Sequence, residues 1–451
     1  MRFLPELYLA KFLAFAADKI DKNRGTSFAG RHILKLDKDF VSKFKNINGD
    51  RVILVTGTNG KSSTTNLLHH IFTACGEKVI SNLAGANLAS GIATCFVKNS
   101  NLKGELNDGY VILEVDERTL KYVLNWIPAK HLVVTNIMTD QVGRNGCPEF
   151  IYNMLADHIQ NRGMTLYLNN DEPRSKAFED LGARCVYYSC EKMQTAFRRD
   201  GAMDISVPCP KCHAKIAFDY NNVCNMGPFR CTRCGHSSEP QADYTVTDID
   251  FADRSASILG RRFTLPYDTP FMMYNYAAAV AVARELGLDE DKIIASFDRF
   301  KNIEGRIEAI RWKDKTIRYM RTKQENPETC QSALDAIARD EGKKVVAIGL
   351  CTVDDWIPYY SNTFYSFDCD FKPLMTDDVE KFIVFDKTVC YDVANRLIYD
   401  GCPEDKITIV PNSDPKAILA AIGACESHSV YLITLLKVFH DIQDEVGRKE
   451  D

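Results

Sequence analysis

The sequence predicts an α/β protein with a mostly parallel sheet, a small metal-binding insertion and a second, smaller α/β domain. Three observations indicate this class. Strand-like apolar runs alternate with helix-like segments along the 451 residues, a glycine-rich turn joins a buried strand to a helix, and two CxxC pairs interrupt the alternation. A chain of this length is typical of about three domains.

The run 51–67, RVILVTGTNGKSSTTNL, predicts a strand, a phosphate-binding turn and a helix. Backbone N–H groups at such a turn bind phosphate, because they point at the ligand where a helix begins. We assign Lys61 to the β- and γ-phosphates of a nucleoside triphosphate and Ser62 to Mg²⁺. The candidate nucleotide-binding residues here are Gly57, Thr58, Asn59, Gly60, Lys61, Ser62 and Ser63. Val55 stands where the general GxxxxGK[ST] pattern has its first glycine, so this turn is the TGTNGK[ST] variant.

Further strands are predicted near 79–81, 110–117, 131–137 and 164–171. In a parallel sheet, function is expected at the carboxyl ends of such strands.

Several polar side chains occupy those predicted strand ends. Glu114, in VILEVDE, is a candidate catalytic residue and the expected carboxylate ligand of Mg²⁺. Asp116 and Glu117 are interpreted as residues that either lie at the surface or contact the site residues without touching the ligand. The weaker candidates are Asn136 and Asp140, for a second metal or the attacked acyl group, and Asn169, Asp171 and Glu172, for ribose or adenine. A solvated strand end is the alternative interpretation for each acid.

The segment CPKC, eighteen residues and then CTRC, at 209–234, predicts a zinc ribbon. Cys209, Cys212, Cys231 and Cys234 are the candidate ligands of Zn²⁺. Four thiolates leave no open coordination position, so the metal is predicted to be structural. Paired disulfides are the alternative, which a reducing compartment disfavours.

Beyond the ribbon, strands near 243–267 are predicted to return to the main sheet, and a long helix follows. Asn275 is placed at the start of that helix, where it caps the helix or contacts nucleotide. Arg306, in EGRIEAI, is expected to reach phosphate. From about 312 a new alternation of strands and helices predicts the second α/β domain. The predicted domains are a helical segment at 1–48, the ATP-binding domain at 49–310 with its insertion at about 205–240, and a third domain at 311–451.

Composition narrows the function classes. A net charge of -5 gives no electrostatic basis for binding nucleic acid. Many of the sixteen cysteines stand singly in apolar runs, which favours a reducing cytoplasm. The apolar segment Leu4–Ala17 is interrupted by Glu6 and Lys11, so neither a signal peptide nor a membrane-spanning helix is expected. It is interpreted as a helix that either packs on the ATP-binding domain or lies on a membrane surface.

Four features together resemble a known family: TGTNGKSST, NLAGANLASGI at 82–92, GRIE at 305–308 and the inserted four-cysteine ribbon. The phosphate-loop variant is similar to that of Mur ligases and folylpolyglutamate synthases. The combination resembles the MurT family, the Mur-ligase-like subunits of the lipid II isoglutaminyl synthases of Gram-positive bacteria, of which this chain is a divergent member.

The resemblance implies a Mur-ligase central domain, a carboxy-terminal domain of the MurT type and a C–N ligase activity that uses ATP and Mg²⁺. It implies that the α-carboxyl of D-glutamate in the lipid II stem peptide becomes an acyl phosphate. A class I glutamine amidotransferase of the GatD type, expected as a heterodimer partner, would supply ammonia and give D-isoglutamine. It also implies peripheral membrane contact through the substrate.

This chain departs from the family at one residue of the carboxy-terminal domain. In the family, an acid there resembles the residue that completes the partner's Cys-His pair to a catalytic triad. In this chain Asn362, in the run NTFYSFDCDFKPL, stands in the place of that acid. Asp354 or Asp355, in the preceding loop, could replace that acid. The departure leaves two alternatives open: a stand-alone Mur-type amino acid ligase acting on another carboxylate, and an ATP-binding scaffold subunit.

Overall fold

The computed structural model describes residues 3–20, 26–83, 86–140, 142–198, 207–300, 307–322, 326–350, 366–387 and 389–447. These residues form two compact units. The first comprises Met1–Met138 and Pro148–Ile303, and the second comprises Thr139–Cys147 and Glu304–Asp451. The domain limits given from the sequence stay predictions.

The described helices and strands alternate along the chain as the sequence predicts. The helices are α1 Phe3–Ile20, α2 Phe28–Leu36, α3 Lys61–Ala74, α4 Ala89–Asn99, α5 Leu120–Trp126, α6 Val142–Asn145, α7 Pro148–Ile159, α8 Pro173–Lys176, α9 Pro270–Glu285, α10 Glu290–Phe297, α11 Pro327–Arg339, α12 Val389–Tyr399, α13 Pro415–Gly423 and α14 Leu436–Gly447. The strands are β1 Val52–Thr56, β2 Val79–Ser81, β3 Tyr110–Glu114, β4 His131–Val134, β5 Thr165–Asn169, β6 Arg184–Cys190, β7 Ile216–Phe218, β8 Phe229–Cys231, β9 Tyr244–Asp250, β10 Ser255–Ile258, β11 Arg261–Thr264, β12 Ile307–Trp312, β13 Lys315–Arg321, β14 Lys344–Gly349, β15 Val379–Phe385, β16 Ile407–Val410 and β17 Ser429–Thr434.

The first unit contains a nine-stranded sheet in the order β11-β10-β9-β6-β5-β4-β1-β3-β2. Neighbouring strands from β9 to the β2 edge of this sheet pair in parallel. The β9–β10 and β10–β11 pairs at the other edge are antiparallel. That edge confirms the predicted return from the insertion to the main sheet. Strands β1 and β3 are buried at every residue, which is typical of parallel strands with both sheet faces covered.

Side chains of β1 alternate between two apolar cores, because successive strand residues point to opposite faces. Ile53 and Val55 pack with α3 and α9 on one face. Val52 and Leu54 pack on the other face, whose core includes apolar residues of α1, α2 and α4. The predicted amino-terminal helix is therefore confirmed, and one side of it packs on the first unit.

Helices α2 and α4 approach each other closely at Gly30. A Cβ atom at this position would lie 1.9 Å from the backbone oxygen of Ser90. The Gly30 N–H also donates to the Oγ1 of Thr94 at 2.9 Å. Only glycine fits this crossing without a shift of one helix.

The second unit contains a six-stranded sheet in the order β12-β13-β17-β14-β15-β16. All its strand pairs are parallel except the β12-β13 hairpin, which the sequence did not distinguish from the rest. Apolar cores cover both faces. Helix α11 begins after Asn326, whose Oδ1 accepts a hydrogen bond from the Thr329 N–H at 2.9 Å and caps the helix.

No helix in the described ranges has both the length and the apolar composition needed to cross a bilayer.

Candidate functional site

The phosphate loop lies between the end of β1 and the start of α3, as the sequence predicts. Gly57 has a φ of 122° and Gly60 a φ of 86°, which L side chains rarely adopt. A Cβ atom at Gly57 would lie 2.2 Å from Thr135 Oγ1, and one at Gly60 would lie 2.4 Å from Asn275 Oδ1. Both glycines are thus required by backbone angle and by space, and the resulting turn fits a phosphate-binding cradle.

Asn136 holds this loop in place. Its Oδ1 accepts a hydrogen bond from the Asn59 N–H at 3.0 Å, and its Nδ2 donates to the Asn59 oxygen at 3.0 Å. The backbone oxygen of Asn136 also accepts from the Thr58 N–H at 2.8 Å. These contacts bind the β4 end to the loop, so Asn136 preorganises the loop. Sequence reasoning had placed it at a second metal or the acyl group.

Lys61 is buried at the first position of α3. Its Nζ donates to the backbone oxygens of Gly57 and Thr58, the second at 3.2 Å. It also lies 3.0 Å from Oε1 of Glu117, and both side chains are less than one-tenth exposed. The ammonium group therefore lies against the loop, where it can reach a bound phosphate.

Glu117 distinguishes between the two interpretations made from the sequence. It does not lie at the surface but contacts a site residue, because it is 4% exposed and pairs directly with Lys61. Asp116, given the same interpretation, is also buried. The burial follows from the sheet order, since β3 lies directly beside β1, and the residues after β3 reach the loop.

The Lys61–Glu117 pair gives a stability prediction. Removing one member of a buried ion pair leaves the other charge uncompensated. Glu117→Gln should therefore lower the thermal midpoint of the nucleotide-free protein by roughly 4–8 °C. The double variant Lys61→Met/Glu117→Gln should recover much of that loss, and differential scanning calorimetry measures both. If the loss in the double variant equals the sum of the losses in the single variants Lys61→Met and Glu117→Gln, the two charges do not interact.

Glu114 ends β3 at the predicted strand edge. It is opposite Val55 of β1 and is 4% exposed. Its Oε1 accepts a hydrogen bond from Asn87 Nδ2 at 2.9 Å, while its backbone exchanges hydrogen bonds with the carboxamide of Asn82 at 2.8 and 2.9 Å. The NLAGANLASGI segment thus orients the carboxylate.

The donor set near the loop fits Mg²⁺. Ser62 is exposed in the first turn of α3, and Glu114 ends the strand adjacent to β1. A hydroxyl and a carboxylate are oxygen ligands, and Mg²⁺ usually takes one or two protein carboxylates plus phosphate and water. Ser62 and Glu114 are the residues that would hold it.

Asn275 lies inside α9 and not at its start, which corrects the predicted cap. Pro270 is the first helical residue, so Asn275 falls in the second turn. Its Oδ1 accepts a hydrogen bond from Thr64 Oγ1 at 3.3 Å and faces Gly60. The carboxamide therefore contacts the phosphate loop and α3, within the candidate nucleotide site.

The two acids that follow β5 form hydrogen bonds with other residues of the protein. Asp171 is fully buried and accepts a hydrogen bond from Tyr274 Oη at 2.8 Å, and burial raises the pKa of its carboxyl to about 7. Glu172 accepts from the Ile137 N–H at 3.1 Å and the Ser175 N–H at 2.8 Å. These bonds hold the strand-end loops together, and no ligand role follows from them.

Four cysteines converge at the base of the β7-β8 hairpin. The Sγ atoms of Cys209, Cys212, Cys231 and Cys234 all lie within 4.8 Å of one another. Sγ distances of 3.6 Å for Cys209 and Cys234, and of 3.5 Å for Cys212 and Cys231, are near the roughly 3.8 Å edge of a tetrahedron with Zn–S bonds of about 2.3 Å. A hydrogen bond from the Ala214 N–H lowers the pKa of the Cys212 thiol to about 6, whereas burial raises the pKa of the Cys209 thiol, so the positions of the four Sγ atoms carry the argument for a metal. The cluster fits Zn²⁺.

The ribbon is attached to the main sheet by polar contacts. Nε2 of His236 contacts the Pro173 oxygen at 2.8 Å, and Lys211 Nζ donates to Glu179 and Asp180 at 2.8 Å.

Four residues that the sequence analysis singled out lie outside the described residues: Arg306, Asn362, Asp354 and Asp355.

Solved structures identify the fold of this chain. A pseudomurein peptide ligase type C from Methanothermus fervidus superposes with a TM-score of 0.68 at 19% identity, over 92% of this chain and 81% of that chain. MurF from Acinetobacter baumannii superposes with a TM-score of 0.63 at 14% identity, over 92% and 80%. Residues 55–207 match the model of the Mur ligase middle domain. The fold is that of the Mur ligases.

Sequence relatives narrow this class. Residues 324–435 match the model of the MurT ligase C-terminal domain. The lipid II isoglutaminyl synthase (glutamine-hydrolyzing) subunit MurT of Staphylococcus aureus (strain COL) is 30% identical over 385 residues, 85% of each chain. The subunit of the same name from Streptococcus pneumoniae (strain ATCC BAA-255 / R6) is 29% identical over 446 residues, 95% of this chain and 93% of that one. The chain belongs to the MurT family and is a ligase.

Proposed function

We propose that this chain is the ATP-dependent subunit of a lipid II isoglutaminyl synthase. In this proposal it phosphorylates the α-carboxyl of D-glutamate in the lipid II stem peptide, and ammonia from a GatD-type glutaminase then forms D-isoglutamine. The observation that carries the proposal is the preorganised loop with Lys61 at its base and Glu114 at the neighbouring strand end. Relatives named for this reaction support the choice of substrate.

The chemistry has two steps. A carboxylate oxygen of the substrate attacks the γ-phosphorus, and ADP leaves with the electrons of the broken P–O bond. Ammonia then attacks the acyl carbon, loses a proton, and phosphate departs with the former carboxylate oxygen. The first step requires the negative charge on the γ-phosphate to be offset, because a carboxylate anion attacks an anionic phosphate. In the second step the nucleophile is neutral ammonia, and the same positive charge stabilises the departing phosphate.

Each candidate residue has a role in that scheme. The loop N–H groups and Lys61 bind the β- and γ-phosphates, while Asn275 supports the loop. Ser62 and Glu114 would hold Mg²⁺, which would supply positive charge to offset that of the phosphates. From the sequence alone, Arg306 is proposed as a further phosphate contact.

We propose that the ammonia-supplying partner binds the carboxy-terminal domain, on the basis of the sequence resemblance to the family. By that resemblance Asn362 stands in the place of the acid that would complete the partner's Cys-His pair. An amide orients a histidine but does not stabilise its protonated form as a carboxylate does. Reduced glutaminase efficiency is the consequence, unless Asp354 or Asp355 takes over the role.

This gives a prediction for a restored acid. Asn362→Asp should raise glutamine-dependent amidation about tenfold or more, while amidation with ammonium chloride stays unchanged. The measurement is D-isoglutamine formation by mass spectrometry, with the chain, a GatD-type partner, ATP and lipid II. The double variant Asp354→Asn/Asp355→Asn, with Asn362 unchanged, serves as the matched control. If only this variant loses glutamine use, the triad acid is Asp354 or Asp355. Equal glutamine use in all variants would contradict a triad role for this segment.

The same assay tests the proposed function against its alternatives. Amidation that needs either glutamine with the partner or free ammonia supports the proposal. ADP formation that requires an amino acid and not ammonia would instead assign a stand-alone Mur-type ligase. No ADP with any peptidoglycan precursor would leave an ATP-binding scaffold.

A further inference from the structure

Helix α1 is apolar on its outer side as well as on the side that packs. Leu7, Ala10, Ala14 and Ala17 face the core of the first unit. The outward side carries Leu4, Tyr8, Leu9, Phe12 and Phe15, between 42% and 66% exposed, which we call the α1 stripe. Most soluble surface helices are polar on the side away from the core.

The α1 stripe is continuous. Leu4, Tyr8, Phe12 and Phe15 follow one another at intervals of four, four and three residues, and Leu9 lies three residues before Phe12, so their side chains line one side of the helix. From Leu4 to Phe15 the stripe spans roughly 16 Å at 1.5 Å per residue. Two large aromatic rings, Phe12 and Phe15, are its most exposed members. A contiguous exposed apolar surface of this kind indicates a binding partner or a membrane.

The charges around the stripe are compatible with an anionic surface. Both acids of α1 lie near cations: Asp18 pairs with Lys98 at 2.7 Å, and Glu6 lies 3.9 Å from Lys43, which also pairs with Asp37. Exposed Lys19 lies over the Phe15 ring at 4.9 Å. Positive charge next to exposed aromatic rings is typical of helices that lie in the lipid headgroup region.

Helix α2, which packs beside α1, repeats this combination. It exposes Phe28 and Leu36 together with Arg31 and Lys35, and the segment 28–36 contains no acid. Exposed cations near a bilayer surface are attracted to anionic lipids. A bilayer with acidic headgroups complements both the apolar and the cationic residues of this helix pair.

We propose that α1 and α2 dock the protein on an anionic lipid membrane, with the α1 stripe inserted at the headgroup boundary. The inference rests on the proposed function, in which the acyl substrate is lipid-linked and reaches the enzyme at a membrane surface. Docking through the first unit keeps the enzyme at that surface between encounters with substrate.

Vesicle flotation tests this surface without ATP or substrate. The full-length protein is mixed with vesicles of equal parts phosphatidylglycerol and phosphatidylethanolamine, or with neutral phosphatidylcholine vesicles. Phe12→Ser/Phe15→Ser should lower the partition coefficient on anionic vesicles about tenfold or more. Arg31→Glu/Lys35→Glu should weaken binding to anionic vesicles selectively. The matched control, Tyr391→Ser/Tyr399→Ser, removes two exposed aromatic rings from α12 and should bind like wild type.

The outcomes separate this inference from the proposed function. Vesicle binding that the stripe variant loses supports docking, whether or not ADP is formed. Equal binding by wild type and stripe variant, or no wild-type binding, would overturn docking even if amidation of lipid II proceeds. A wild-type dimer that the stripe variant converts to a monomer, without vesicle binding, would assign the surface to a second copy and also overturn it. Unchanged thermal midpoints verify that the variants are folded, as expected for exposed positions.

Discussion

Lys61→Ala is expected to abolish ATP turnover, with the rate of ADP formation falling by at least about 10²–10³-fold. The reason is electrostatic, since this ammonium group is the buried cation that lies against the phosphate loop. Its loss removes the positive charge that the described part of the site places beside the γ-phosphate. Coupled spectrophotometric detection of ADP, with lipid II and ammonium chloride present, measures the effect.

The control for this variant follows from the ion pair. Lys61→Ala leaves Glu117 buried and unpaired, so part of any loss could come from instability. The double variant Lys61→Ala/Glu117→Gln should regain thermal stability but remain inactive. If Lys61→Ala keeps wild-type turnover, the phosphate site has been placed wrongly. If the double variant regains turnover, the lysine serves the fold and not the phosphates.

Cys231→Ser should release zinc and unfold the ribbon before it affects the chemistry. The cluster needs four thiolates for a closed tetrahedral site, and zinc-binding energy is folding energy in such small modules. We expect zinc content to fall from about one ion per chain to near zero, with a thermal midpoint roughly 10 °C lower. Atomic emission spectroscopy and calorimetry measure the two effects.

Limited proteolysis locates the damage. Cleavage should appear within 207–236 in Cys231→Ser, because His236 and Lys211 no longer hold the ribbon against the main sheet. Cys147→Ser removes an exposed thiol outside the cluster and serves as the matched control. A zinc-free Cys231→Ser protein with the wild-type midpoint and proteolytic pattern would contradict a structural role for the metal.

The parts of the site that are local in sequence could be predicted. A strand, a glycine turn and a lysine at the start of a helix lie within one run, so their order along the chain is visible in the local pattern. The four cysteines are likewise two local pairs whose ligand spacing carries the chemistry. The predicted contacts of the turn with nucleotide stay predictions, as do Arg306 and Asn362.

Long-range contacts could not be read from local patterns. The two interpretations of Glu117, at the surface or in contact with a site residue, could not be separated because its burial depends on β3 lying next to β1, and strand order is not visible in a single run. Asn136 was predicted to contact a second metal or the acyl group, because no local pattern shows that its carboxamide forms hydrogen bonds with the backbone of Asn59. The error at Asn275 was avoidable, since Thr269 and Pro270 are a typical helix start.

The central claim, transfer of the γ-phosphate to a substrate carboxylate, is tested most directly by isotope transfer. Lipid II is prepared with ¹⁸O in the α-carboxyl of its D-glutamate and turned over with ATP and ammonia. Mass spectrometry of the released phosphate should find one ¹⁸O atom in each molecule, because the carboxylate oxygen leaves on phosphorus. Unlabelled phosphate accompanying labelled amide would contradict the account, as would release of AMP and pyrophosphate in place of ADP.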